Sequence, residues 1–131
     1  MTSPGSTTPY VPISWGELVD KITILEIKSE RLTDASAIAN VRKELSLLTD
    51  IAENLISPDG ELLRLKVQLR LLNEKLWDVE EKIRKKDAHK QFDQNFIELA
   101  RSVYQHNDER AAIKRKINLK MASDLLEEKS Y

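Results

Sequence analysis

The chain has no cysteine, which removes a disulfide framework and thiolate chemistry together. Its three glycines and four prolines are too few for a fold built on sheets and tight turns. No stretch approaches the roughly 20 apolar residues that a membrane-spanning helix needs. The opening residues, MTSPGSTTPY, lack the apolar run of a signal peptide, so the cytoplasm is the default expectation. A net charge of −1 supplies no overall field to gather nucleic acid or anionic lipid. Only two histidines are present, which leaves zinc poorly supported, and no cofactor or metal is expected.

What remains is a chain of 131 residues, 40% apolar and 33% charged, a balance that favours helices with one packed and one solvated face. The expected class is all-α. Residues 1–12, rich in Ser, Thr and Pro, read as a disordered or extended tail, and residues 13–131 as a single helical domain. The first helix carries a complete start signal, with Ser14 as N-cap, Glu17 three residues on to close a capping box, and Ile13 placed to staple onto Leu18. Its stripe of Trp15, Leu18, Ile22, Leu25 and Leu32 is widened by Val19, Ile24 and Ile27, so it should be buried on more than one side.

Thr33 and Asp34 offer the next cap, after which Ile38, Val41, Leu45, Leu48, Ala52 and Leu55 recur at helical spacing. Ser57 and Pro58 then begin a third helix, with Pro58 at its first position. Leu62, Leu65, Leu69, Leu72, Leu76, Val79 and Ile83 occupy seven successive positions of its heptad seam, as in a coiled coil. The polar run from Lys85 to Gln91 fits either a turn or more helix, and Asp93 can cap a fourth helix. From Phe92 to Ile117 a fourth stripe runs through Phe92, Phe96, Leu99, Val103, His106, Arg110, Ile113 and Ile117. Short connections between long helices imply an elongated antiparallel helical bundle, or a long hairpin braced by two shorter helices. Ile24, Ile27, Leu47, Ile51, Leu63, Val67, Leu71, Trp77, Ile97 and Leu119 fall outside the main seams, and this second apolar set predicts a homodimer.

The fourth stripe is interrupted where His106 and Arg110 take consecutive core-facing positions, with Tyr104, Asn107 and Asp108 beside them. Two readings fit. Either these residues form a pocket for an anionic ligand, joined by Lys21, Lys28 and Arg31 of the first helix, or Arg110 pairs with a carboxylate of the first or third helix and fixes register at some cost in stability. The candidate ligand-binding set is therefore Lys21, Lys28, Arg31, Tyr104, His106, Asn107, Asp108 and Arg110.

Several templates for helical enzymes fail, and a chorismate-mutase-like helical dimer, which holds a dicarboxylate with Arg and Lys on long helices, survives only as a loose analogy that carries no position over. A di-iron bundle needs Glu three residues before each His, where this chain has Lys86 and Val103. A helical nucleotide pyrophosphohydrolase needs paired acidic motifs, and Glu98 is followed by Arg101 in place of the second acid. A phosphotransfer bundle needs Lys-Gly after its His, whereas Asn107 and Asp108 follow His106. The basic residues Lys82, Arg84, Lys85, Lys86 and Lys90, and Lys114, Arg115, Lys116 and Lys120, are interspersed with acids and carry no nucleic-acid motif. No nucleic-acid partner is expected.

Taken together, the blocks ISWGELVDKITILEIKSER (13–31), LWDVEEKIR (76–84), FIELARSVYQHNDERAAIKRKIN (96–118) and the terminal EEKSY resemble an uncharacterised family of small bacterial and phage-borne proteins, domain of unknown function 6165. The resemblance implies a free-standing helical domain, sometimes near genes for cell-surface sugar assembly, and supplies no catalytic residues. It directs attention to Gly16, Lys21, Glu26, Lys28, Arg31, Trp77, Tyr104, Asn107, Asp108 and Arg110 as positions for a site. The function expected first is a non-enzymatic interaction or accessory module, a homodimer whose ends bind another protein. The alternative is a small-molecule protein or small helical enzyme with a site between the first and fourth helices.

Overall fold

A computed structural model describes residues 7–55 and 60–121. Four helices follow one another, α1 (Trp15–Arg31), α2 (Ala35–Leu55), α3 (Gly60–Ala88) and α4 (Gln94–Lys120), and no strand occurs among the described residues. The fold is all-α. The longest packed interface joins α3 to α4 as a helical hairpin, and α1 packs into it near the start of α3 and the end of α4. α2 touches only α1 among the described elements.

The seam on α3 forms as its spacing requires, with Leu62, Leu65, Leu69, Leu72 and Leu76 all buried. Leu62, Leu65 and Leu69 meet Val19 of α1 and Ile117 of α4 in the central cluster, and Trp15, Ile113 and Met121 pack around it. Leu18, Ile22 and Leu25 of α1 are buried outside that cluster, and α2 packs on α1 as well. Thus α1 is enclosed from two sides. Past Asp78, which pairs with Arg31 at the end of α1, the hairpin loses this third helix, and Val79, Ile83, Phe96, Leu99 and Val103 are only half-buried. Among the described residues the chain therefore has a three-helix core and an arm of α3 and α4 alone.

Local caps explain the boundaries. The Ser14 side chain accepts from the Glu17 amide at 3.2 Å, but Glu17 turns its own carboxylate to Lys114, so only half of the expected capping box is built. Asp34 caps α2 through the Ala37 amide at 2.8 Å, and Asp93 caps α4 through the Phe96 amide at 2.9 Å. Between α3 and α4 the Gln91 amide reaches the Lys86 carbonyl and the Lys90 amide reaches that of Asp87, with Lys90 in the left-handed region at φ 54°. This is a Schellman closure, and it places the polar run 85–91 partly in helix and partly in turn.

Two details depart from the sequence pattern. Phe92 precedes the Asp93 cap, so it lies outside α4 and is exposed, resting edge-on against Phe96 rather than continuing the core stripe. Ile13, Tyr10 and Val11 are likewise exposed rather than packed down. The Ser57–Pro58 start expected for the third helix, and the tail from Met1 to Ser6, lie outside the described residues.

Candidate functional site

The first contact between α1 and α4 is one of backbone. At Gly16 the two helices come so close that a Cβ would stand 2.5 Å from the Lys114 carbonyl oxygen and 2.9 Å from Asn118 Oδ1. The amide of Gly16, unpaired within a first helical turn, donates to Asn118 Oδ1 at 2.6 Å. One turn on, Lys114 is buried and donates to Glu17 at 2.6 Å.

A further turn along lies Asp20, fully enclosed. Arg110 of α4 donates to its Oδ1 through Nε at 2.9 Å and to its Oδ2 through Nη2. Asn73 of α3 donates to the same Oδ1 at 2.9 Å and to Thr23 Oγ1 at 2.9 Å, while Thr23 donates to the Asp20 carbonyl. Lys114 adds a second cation 3.9 Å from Oδ2. The buried carboxylate thus meets charge and hydrogen bonds from two other helices, as a charge removed from water must. Arg110 also donates to Asn107 Oδ1 at 3.3 Å.

Beside this network a groove of about 480 Å³ opens between α1, α3 and α4. Ile24, Ile27 and Leu76 give it apolar walls, Lys28, Asn73, Asn107 and Arg110 give it polar ones, and Trp77, Glu80, Glu81 and Arg84 line the side toward the arm. Trp77 is fixed from two directions. Its indole N–H donates to Glu81 at 3.0 Å, and the Arg31 guanidinium lies over the ring at 5.8 Å from the centroid. Arg31 in turn pairs with Asp78, whose hydrogen bond is the main cause that raises the Arg31 pKa above its ordinary value.

Of the eight candidate residues in the sequence, Lys28, Asn107 and Arg110 line this groove. Arg31 stands behind it through Trp77, and Lys21 is exposed on α1 outside its lining. Tyr104 and Asp108 are exposed on α4. His106 is half-buried one turn below Arg110, and its enclosed Nδ1 has no hydrogen-bond partner among the described residues. The sequence pattern does not mark Asp20, Thr23, Asn73 and Lys114 as site residues, although all four are buried. The available clue is that Asp20 and Asn73 each directly follow two apolar residues, Leu18-Val19 and Leu71-Leu72.

Nothing in this geometry matches a standard metal or catalytic centre, and no group of three His, Asp or Glu side chains converges on a metal position among the described residues. Residues 10–131 match the pattern of a family of unknown function, DUF6165. The chain belongs to that family. No curated protein and no solved structure matches it. Membership therefore brings no residue roles, and the chemistry of the site rests on its own side chains. No described helix is long and apolar enough to cross a membrane.

Proposed function

We propose that the protein is a non-enzymatic helical interaction module that acts as a homodimer. The observation that carries this reading is the stripe Leu63, Val67 and Leu71 on α3, where side chains one turn apart remain 61%, 50% and 54% exposed. These positions lie on the side of α3 opposite its buried Leu62–Leu76 seam. A contiguous apolar row of this kind is stabilised by pairing, and a two-fold axis lets one row cover its own copy. The polar break in α4 supports the same reading, since Asp20 and Asn107 give Arg110 side-chain partners without a ligand. The chain has no cysteine and so depends on no disulfide, and we propose the cytoplasm as its location.

Sedimentation velocity at micromolar concentration tests the proposal. The wild type should sediment at twice its mass of 15.1 kDa, and Val67→Glu should sediment as a monomer with unchanged helical content. A monomeric wild type removes the reading.

A further inference from the structure

Lys28 is half-buried at the groove, and its ammonium makes no hydrogen bond or ion pair among the described residues. The other cations at the groove are engaged: Arg110 with Asp20, Arg84 with Glu80, and Arg31, behind Trp77, with Asp78. Withdrawing an ammonium partly from water without a carboxylate in contact is unfavourable, so this position is one a bound carboxylate would stabilise.

The surrounding groups narrow the anion. Asn73 spends both Nδ2 protons on Asp20 and Thr23, which leaves its Oδ1 as an acceptor without a partner among the described residues. Asn107 has its Oδ1 held by Arg110, which leaves its Nδ2 as a donor in the same condition. The groove therefore offers one ammonium, one amide donor and one amide acceptor, beside the apolar surfaces of Ile24, Ile27, Leu76 and Trp77. Its volume falls in the range of small-molecule sites. The lining cations Lys28, Arg84 and Arg110 are balanced by Glu80 and Glu81 in the lining and Asp20 beneath, so no positive surplus exists for a phosphate or a nucleotide. Trp77 is already immobilised by Glu81 and Arg31, and little ordering is left to a ligand that packs on it.

We propose that this groove binds a small monocarboxylate borne on an apolar ring, with Lys28 taking the carboxylate and Trp77, Ile24 and Leu76 taking the ring. The site is independent of self-association through α3, since none of Leu63, Val67 and Leu71 lines it.

A ¹⁵N–¹H correlation titration of the full chain with phenylacetate, phenylacetamide and inorganic phosphate tests it, with the Trp77 indole signal assigned from Trp77→Phe. Phenylacetate should move the Trp77 indole signal saturably while that of Trp15, packed in the core, stays in place. Phenylacetamide should bind about tenfold more weakly or less, through loss of the ion pair, and phosphate should leave the signal unmoved. Lys28→Met should weaken phenylacetate binding by about tenfold with the remaining spectrum preserved, Lys28→Arg should retain it, and Lys21→Met should not change it. An unmoved Trp77 signal, equal binding of the amide, a response to phosphate alone, or unaltered binding in Lys28→Met each overturns the proposal. The last result would leave Lys28 as a cation at the end of α1 and nothing more.

Discussion

The carboxylate of Asp20 and the guanidinium of Arg110 stand ninety residues apart in the chain and form a two-point ion pair, with the carboxylate enclosed and the guanidinium partly open to the groove. Removing the cation alone leaves Asp20 with Asn73 and a more distant Lys114. Arg110→Ala should therefore lower stability by about 3–5 kcal/mol, measured by urea unfolding at neutral pH. The double variant Asp20→Asn with Arg110→Met should lose less than the sum of its single variants. A near-neutral Arg110→Ala would show that the pair is not structural.

Gly16 has no room for a side chain. Because the obstacle at 2.5 Å is a backbone carbonyl, α1 and α4 would have to separate to admit a methyl group. Gly16→Ala should cost about 1–3 kcal/mol despite its better helix propensity, and thermal unfolding of the two proteins checks this. Asn118→Ala should destabilise as well, since it leaves the buried Gly16 amide without its acceptor.

Lys90 holds a backbone conformation that favours glycine, at a point where its side chain is exposed. Lys90→Gly should raise stability by about 0.5–1 kcal/mol, the relief of left-handed strain outweighing the added freedom of the unfolded chain. An unchanged or lower melting temperature would mean that Lys90 contributes contacts beyond its backbone.

Asp93 answers to pH. Hydrogen bonds from Lys86, first, and from the Phe96 amide hold its carboxyl below the usual carboxylate range. A depressed pKa contributes stability that is present above the unfolded value and lost as pH falls through the folded one. Asn can still cap α4, so Asp93→Asn isolates the ionic part: it should melt below the wild type at neutral pH, and the gap should close on acidification past the carboxylate range. A gap that persists in acid would assign the effect to cap geometry instead.

Local features of the fold were legible in the residues. The seam Leu62–Leu76 and the caps Ser14, Asp34 and Asp93 are patterns of neighbouring positions, and each took the expected place. The partners of Arg110 were not local. Asp20 lies ninety residues from it and Asn73 fifty-three residues from Asp20, and no periodicity links them. Helical spacing also identified the apolar face of α2, where Ile38, Val41, Leu45 and Leu48 recur. It could not show that α1 alone would cover that face and leave those side chains half-open, because a period names a face and not its neighbour. Lys28 was legible as a charge but not as a charge left over, which depends on where every surrounding acid is spent.

The enclosure of Asp20 has a consequence for the order in which the chain assembles. With α1 docked onto α3 alone, the carboxylate has Asn73 as a partner and no cation, and the side that α4 covers is still open to water. The cation arrives only with α4, through Arg110, and Lys114 follows from the same helix. The carboxylate therefore leaves water only as its cations arrive, so enclosure of Asp20 and docking of α4 should be one cooperative step.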